Sequence, residues 1–408
     1  MPNVELKSTT YALTQKLRNA AVRATSDNLL INGTMASPPT ISVNASADAA
    51  LTNIYTLYSG GAFVQSERLL PIGGVPQVVG GCIGLKSASI GAWGNIGSTA
   101  LQTSVAWEFE TDAPTLEFTI FPQNASQVRF AVAENGGKMQ YIGGWSSLNS
   151  STVTSYIKAA FGSSKQRRLR LEFGLKQGDT GTPAALLISV STPPSYSIWR
   201  PNYAPVRIAW LSDSYMGTIA YLDYSQDNPG VYASHLLGAH GTMIAVGGTG
   251  YVNANGSLGN VLTRLDDLTQ QSFDAVAVCL STNDTGGAQL QANALSCFQG
   301  IRTRLPLAPV FVFGGWPKPN TPEATTLAVD ADVKVGFDQW ADVNSYWFPI
   351  AGDPAGNWMK GTTNSGAPGA NDISGRYIGA DGVHILPIGA PYYGVRLANK
   401  IKSAIGAL

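Results

Sequence analysis

The sequence predicts two architectures in one chain, an all-β sandwich of the jelly-roll type followed by an α/β domain with a parallel sheet. From about residue 81 to residue 197, short β-branched and aromatic segments alternate with clusters of Gly, Asn and Ser, which is typical of antiparallel sheets. Beyond residue 201, nearly continuous hydrophobic segments alternate with helix-compatible stretches, which is typical of a parallel sheet covered by helices. We therefore expect an N-terminal segment at 1–80, a β-sandwich domain at 81–200 and an α/β domain at 201–408.

The N-terminal segment begins with a candidate amphipathic helix over residues 5–25. Leu13, Leu17 and Ala21 recur there at helical spacing. The chain then becomes polar and rich in proline, and we expect it to be irregular. Two roles stay open for this segment, an assembly element or a part of the sandwich.

The sandwich domain contains three segments whose alternation predicts strands. Residues 103–110 place Val105, Trp107 and Phe109 on one face of a strand, and residues 115–121 repeat this pattern. Residues 168–174 alternate charged and hydrophobic side chains. Residues 192–205 are interrupted by prolines and fit neither helix nor strand, so we take them as the linker to the next domain.

The α/β domain contains four hydrophobic segments that predict buried strands, at residues 206–211, 241–246, 275–280 and 309–313. Residues 230–237, 258–270, 288–305 and 390–405 are compatible with helices. In such a domain, ligand-binding residues gather at the carboxyl ends of the parallel strands. Residues 316–379 are rich in Gly, Pro, Asn and Trp and poor in regular pattern, so we expect a lid or binding loop there.

Composition argues against several kinds of partner. Only 13% of the residues are charged, and Lys plus Arg equals Asp plus Glu at 26 each, so no basic field attracts nucleic acid or an anionic membrane. The apolar stretches are shorter than a membrane span, and the N-terminus lacks the pattern of a secretory signal. We expect a soluble protein, either cytoplasmic or exported by another route, for example on a virion.

The cysteines and histidines indicate neither a disulfide framework nor a metal site. The three cysteines are scattered and odd in number, and the three histidines show no zinc-type spacing with cysteines or carboxylates. We therefore expect no metal and no cofactor. His235 and His240 have no supporting motif, and we interpret them as structural.

Four polar motifs lie where chemistry is expected in an α/β domain. Ser212-Asp-Ser-Tyr, Gly247-Gly-Thr-Gly-Tyr and Ser281-Thr-Asn-Asp follow the first three predicted strands, and Asp381-Gly-Val-His precedes the last helix. Alone, each motif is more typical of a turn or a helix cap. Together and in this order, they resemble the blocks of the SGNH (GDSL-type) hydrolases over roughly residues 206–408.

The resemblance implies a three-layer, flavodoxin-like hydrolase domain and assigns roles to five residues. Ser214 would be the nucleophile, His384 its base and Asp381 the residue that orients the imidazole, while the N–H groups of Ser214 and Gly250 and the amide of Asn283 would stabilise the oxyanion. The chemistry agrees, because a serine hydroxyl needs a base to accept its proton and developing oxyanion charge needs aligned donors. No cofactor is implied.

Three positions depart from the family pattern, and one of them is Ile385, which follows His384 where the family frequently has proline. Ser212 and Ser281 stand where the family usually has glycine, and each adds a side chain at a tight turn.

The resemblance also implies a function, a serine esterase. An N-terminal sandwich joined to such a domain looks like the layout of several carbohydrate esterases, so an O-acetyl esterase acting on a carbohydrate is our first interpretation. A lipase or thioesterase of the same fold, or a non-catalytic carbohydrate-binding or virion structural protein, are the alternatives. Trp316, Trp347 and Trp358 either stack on a sugar or anchor their loop by packing. The oligomeric state stays open.

Overall fold

A computed structural model describes residues 3–27, 35, 37–86, 105–122, 127–134, 137, 139–148, 153–174, 185–217, 221, 227–318, 323–354, 358–359 and 376–407. The α-helices in these residues are α1 (Asn3–Asp27), α2 (Pro229–Leu236), α3 (Ala288–Arg304), α4 (Glu323–Trp340) and α5 (Gly389–Ala404). Short 3-10 helices lie at Gly256–Leu258 and Val261–Thr269. The strands before residue 200 are β1 (Thr40–Asn44), β2 (Asn53–Thr56), β3 (Tyr58–Ser59), β4 (Ala62–Phe63), β5 (Leu70–Ile72), β6 (Val75–Val79), β7 (Cys82–Lys86), β8 (Val105–Thr111), β9 (Thr115–Pro122), β10 (Gln127–Glu134), β11 (Gln140–Ser147), β12 (Ser155–Ala160), β13 (Arg167–Gly174), β14 (Ala185–Thr192) and β15 (Ile198–Trp199). The later strands are β16 (Val206–Ser212), β17 (Ala239–Ala245), β18 (Ala275–Cys279), β19 (Val310–Phe313) and β20 (Ser345–Phe348).

Two antiparallel sheets packed face to face form most of the described part of the β-rich region, and β3 and β4 form a separate two-stranded sheet. One of the packed sheets has the order β1-β12-β9-β14-β7-β6, with β2 also beside β14, and the other has the order β11-β10-β13-β8-β15, with β5 beside β8. Phe118 of the first sheet lies between Phe109 and Phe130 of the second, with ring centroids 5.8 and 5.4 Å apart. The three segments that were predicted to be strands are observed as β8, β9 and β13. Their inward-facing hydrophobic side chains form this core.

The N-terminal segment is divided between the two regions. The predicted helix is present as α1, and its buried Leu17 and Ala21 join the core of the α/β region, where Lys16 also pairs with Asp274 at 2.8 Å. Strands before residue 80 instead pair with later ones, β1 with β12 and β2 with β14. The β-sheets therefore continue across the boundary expected at residue 80. The expected linker likewise contains β15, which pairs with β8.

The α/β region is built on a parallel sheet with the order β17-β16-β18-β19-β20. Ile208 and Trp210 of β16 face α1, α2 and α5, whereas Ala209 and Leu211 face α3, α4 and the second 3-10 helix. This alternation along a strand buried on both faces explains its nearly continuous hydrophobic sequence. The predicted mixed architecture, an α/β region with a parallel sheet next to a β-rich region, is confirmed.

Two local predictions were wrong. The segment 316–379 is not irregular throughout, since it contains α4 and the edge strand β20. Val329, Val333 and Phe337 recur at helical spacing in α4 and pack in the core, but Thr, Asp and Gly between them obscured the pattern. Residues 258–270 form 3-10 rather than α-helical turns. The parts of the expected lid at 319–322, 355–357 and 360–375 lie outside the described residues.

A buried ionic network joins the β-rich region to the α/β region. Arg170 donates to Glu108 at 2.6 and 2.8 Å and to His235 of α2 at 3.3 Å, while Tyr203 contacts both Glu108 and His240 of β17. Burial raises the pKa of Glu108, but the positive charges of Arg170 and its neighbours outweigh this and lower it to about 2. Burial lowers the pKa of both histidines to about 3, so they are neutral at physiological pH.

No helix in the described part of the chain is long and apolar enough to cross a membrane.

Candidate active site

The sequence motifs meet at one edge of the parallel sheet. Strands β16, β17 and β18 run in parallel and in register, so the turns that follow them emerge side by side. The Ser214 turn follows β16, the loop 247–253 follows β17 and the Ser281–Asp284 turn follows β18. A fourth turn, which carries Asp381 and His384 just before α5, approaches the same place.

Three side chains form a hydrogen-bonded chain across these turns. His384 Nε2 lies 3.0 Å from Ser214 Oγ, and His384 Nδ1 lies 2.7 Å from Asp381 Oδ2. Both distances are within the hydrogen-bond range. With the proton on Nδ1, Nε2 is free to accept the serine proton. The predicted nucleophile, base and orienting carboxylate are therefore adjacent.

Asp381 is held by more than the histidine. Its Oδ1 accepts the N–H groups of Val383 and His384 at 2.9 and 3.0 Å, which closes a tight turn. Burial opposes ionisation, but the hydrogen bond from His384 and those two backbone bonds outweigh it, so the pKa of Asp381 is lowered. A carboxylate that stays ionised is suited to stabilise an imidazolium.

Ser214 is 9% exposed and sits on a turn anchored by Asp213. Asp213 accepts the Tyr215 N–H on its side chain at 3.0 Å and the Met216 and Gly217 N–H groups on its carbonyl. Complete burial raises the pKa of the Asp213 carboxyl to about 7. Within the described residues the Ser214 N–H donates no backbone hydrogen bond.

Gly250 does not fit its predicted role in this geometry. Its N–H donates to the carbonyl of Asn253 at 2.9 Å and is therefore already paired. A Cβ at this position would lie 2.2 Å from Asp284 Oδ2, so packing against that carboxylate explains why glycine is needed. The oxyanion assignment for Gly250 is thus contradicted by its hydrogen bonding.

Asn283 and Asp284 hold the loop 247–253 in place. The Asp284 carboxylate accepts the N–H groups of Tyr251, Val252 and Asn253 at 2.8 to 2.9 Å. Asn283 Nδ2 donates to the Thr249 carbonyl at 3.0 Å and lies 3.5 Å from Asp213 Oδ2. No role was predicted for Asp284, although its position beside Asn283 in the motif was a usable signal.

The two serines that replace family glycines behave differently. The backbone of Ser212 does not have a positive φ, and the Ser212 hydroxyl donates to the Cys279 carbonyl at 2.8 Å. The side chain is therefore accommodated. Ser281 has φ of +81°, a left-handed conformation that favours glycine. The departure from glycine therefore costs conformational energy only at Ser281.

The three tryptophans pack within the protein. Trp316 and Trp358 are 1% and 0% exposed, and Trp316 stacks on Tyr215 with centroids 5.0 Å apart. Trp347 packs against Phe337 on the opposite face of the sheet. Buried rings offer no face to a sugar, so the predicted sugar-stacking role was wrong for Trp316 and Trp358, and packing is the better interpretation.

No group of His, Cys, Asp and Glu side chains in the described part of the chain is arranged to hold a metal ion.

Comparison with known proteins gives the fold of the chain. No family model and no curated sequence matches it. Among solved structures, it is similar to a salicylyl-acyltransferase from a tetracycline biosynthetic pathway (TM-score 0.62, 13% identity, covering 88% of this chain and 99% of that one). It is similar to an acetyl xylan esterase from the rumen bacterium Butyrivibrio proteoclasticus (0.58, 12%, 87% and 100%) and to a putative GDSL-like lipase from Bacteroides ovatus (0.52, 14%, 87% and 97%). The chain has the SGNH (GDSL-type) hydrolase fold.

Proposed function

We propose that this protein is a serine esterase that works through an acyl-enzyme, with Ser214 as nucleophile. The observation that carries the proposal is the contact of Ser214 Oγ with His384 Nε2 at 3.0 Å, together with that of His384 Nδ1 with Asp381 at 2.7 Å. Such a relay activates a hydroxyl that is otherwise a poor nucleophile.

The reaction follows from this arrangement. His384 takes the Ser214 proton as Oγ attacks the ester carbonyl, and the negative charge forms on the carbonyl oxygen. The alcohol leaves with the proton from His384, and water then attacks the acyl group by the same route. No cofactor enters these steps.

The oxyanion donors in this proposal are the Ser214 N–H and the Asn283 amide. The Ser214 N–H donates no backbone hydrogen bond among the described residues. One Asn283 hydrogen makes only the 3.5 Å contact with Asp213, which is at the limit of a hydrogen bond and costs little to exchange. Each oxyanion donor of this kind contributes about 3 kcal/mol to transition-state stabilisation.

The substrate we propose is an O-acetyl group on a carbohydrate. The support is the similarity to an acetyl xylan esterase, which covers 87% of this chain. We infer that residues 40–200 form a jelly-roll accessory domain, and that α1 belongs with residues 201–408 in a three-layer catalytic domain. Fold similarity alone does not fix a substrate, so the proposal depends on the experiment that follows.

The test is acetate release from acetylated xylan, with p-nitrophenyl esters of increasing chain length in parallel. We expect release by the wild-type protein, a loss of at least about 1,000-fold in Ser214→Ala, and a preference for acetyl over longer chains. A preference for long acyl chains would identify a lipase or thioesterase instead. Release by wild type no faster than by Ser214→Ala on every substrate would refute the esterase proposal.

A further inference from the structure

The turn that carries Asp381 and His384 belongs to no long helix or strand. It is closed by a bridge between Ile378 and Ile385 and by the Gly379 N–H, which donates to the His384 carbonyl at 2.7 Å. These bonds are internal to the turn and do not fix its position relative to Ser214. That position has to come from contacts with other parts of the chain.

Two tyrosine hydroxyls supply such contacts. Tyr215 Oη donates to the Val383 carbonyl at 2.8 Å, and Tyr221 Oη accepts the Asp381 N–H at 3.0 Å. We propose that Tyr215 and Tyr221 are positioning residues that hold His384 in line with Ser214. This inference rests on the proposed function and adds to it two residues whose hydroxyls act on the backbone of the turn that carries Asp381 and His384.

Tyr215 links the two halves of the site directly. It follows Ser214 in the chain, is fully buried and stacks on Trp316 at 5.0 Å with an interplanar angle of 14°. Its N–H is held by Asp213 Oδ1 at 3.0 Å, so both the backbone and the ring are fixed. Because the hydroxyl ends on the carbonyl next to His384, a rigid side chain sets the distance from the nucleophile turn to the base.

Tyr221 acts on the other side of the same turn. Its ring packs so closely on Gly379 that a Cβ there would lie 2.1 Å from a ring carbon. Gly379 does not have a positive φ, so its backbone conformation would allow a side chain. The close approach of the Tyr221 ring is what excludes one. Ring and hydroxyl together hold the backbone of Asp381 while its carboxylate orients His384.

Tyr393 of α5 provides a matched control. It is fully buried and packs edge-on against Trp316 at 5.3 Å, as part of the same aromatic cluster. Its hydroxyl has no hydrogen-bond partner within the described residues. Replacing it with Phe removes a hydroxyl from the same core without removing a hydrogen bond to the turn.

The experiment compares Tyr215→Phe, Tyr221→Phe and Tyr393→Phe by kinetics and by NMR of the histidine rings. We expect kcat on p-nitrophenyl acetate to fall about five-fold to ten-fold in each of the first two variants, with KM within about two-fold of wild type. Tyr393→Phe should stay within two-fold in both. Thermal unfolding of all variants checks that each is folded.

The NMR measurement separates this inference from the proposed function, because it needs no activity. The chain has three histidines, and the His384 signals are assigned by their loss in His384→Gln. We expect Tyr215→Phe and Tyr221→Phe to shift the His384 ring signals at fixed pH and Tyr393→Phe to leave them unchanged. If these shifts are seen and the wild-type protein has no esterase activity, the inference stands and the proposed function is rejected. Unchanged His384 signals in both variants, or equal shifts in Tyr393→Phe, would overturn the inference.

Discussion

Replacement of Gly250 by Ala tests the packing of Asp284 against the loop 247–253. A Cβ at residue 250 lies 2.2 and 2.3 Å from the two Asp284 carboxylate oxygens, well inside van der Waals contact. Asp284 cannot turn away without releasing the N–H groups of Tyr251, Val252 and Asn253. Each such bond to a carboxylate contributes about 1.5 to 3 kcal/mol, so losing one or two costs about 3 kcal/mol of unfolding free energy.

Gly248→Ala is the matched control for this replacement. Gly248 has φ of +72°, and the nearest atom to a Cβ there is 3.7 Å away, so the change introduces backbone strain without a clash. That strain costs about 1 to 2 kcal/mol. Backbone conformation alone would make Gly248→Ala the more damaging change, whereas packing makes Gly250→Ala the more damaging one.

Urea unfolding followed by tryptophan fluorescence measures both variants, and the rate of labelling by a fluorophosphonate probe reports on the site. We expect Gly250→Ala to lose about 3 kcal/mol and to label more slowly, and Gly248→Ala to lose about 1 to 2 kcal/mol. Stability of Gly250→Ala within 1 kcal/mol of wild type, or above that of Gly248→Ala, would refute the reasoning about Asp284.

Two further changes test the strain and the buried network. Ser281→Gly should raise stability by about 0.5 to 1 kcal/mol, because relief of the left-handed φ outweighs the extra entropy that glycine has in the unfolded chain; urea unfolding measures it. Glu108→Gln should cost about 3 to 5 kcal/mol, because the buried Arg170 keeps its charge and loses its closer ionic partner, Glu108 at 2.6 Å, while the second, Glu172, lies 3.8 Å away. Glu67→Gln, at an exposed pair, should be neutral. The folded-state pKa of Glu108 is about 2, below its usual 4.5. The stability that Glu108 contributes is therefore present above pH 4.5 and is lost as the pH falls toward 2. Acid unfolding of wild type and of Glu108→Gln measures this loss.

These two predictions fail in distinct ways. A Ser281→Gly protein less stable than wild type would mean that the 3.4 Å contact of Ser281 with Asp330 outweighs the backbone strain. If Glu108→Gln unfolds in acid at the same midpoint pH as wild type, Glu108 does not cause the loss of stability at low pH.

The parallel sheet was predictable from the sequence because its strands are buried on both faces. Val206 to Leu211 and Ala275 to Cys279 read as continuous hydrophobic segments whatever surrounds them. The role of the first 80 residues was not predictable, since their strands β1 and β2 pair with partners more than 100 residues away. Helix α4 was missed because Thr, Asp and Gly lie between its apolar positions Val329, Val333 and Phe337, which pack in the same core as α3.

The roles of side chains in the candidate site were predictable from the motifs, whereas the roles of backbone groups were not. Ser214, Asp381 and His384 have the side chains their chemistry requires, and the structure brings them together. The Gly250 assignment concerned an N–H group, whose partner depends on the local turn and is invisible in the sequence. The burial of Trp316 likewise depends on long-range packing, with Tyr215 and Tyr393.

The most direct test of the account is the site of fluorophosphonate labelling, located by mass spectrometry of the labelled peptide. Ser212 and Ser214 lie on the same peptide, and only Ser214 contacts His384, so Ser212→Ala is the matched control. We predict that wild type and Ser212→Ala are labelled at Ser214, and that Ser214→Ala is not labelled and His384→Gln reacts at least about 100-fold more slowly. An unlabelled wild-type protein, or a Ser214→Ala variant labelled as fast as wild type, would contradict the assignment of Ser214 as the nucleophile.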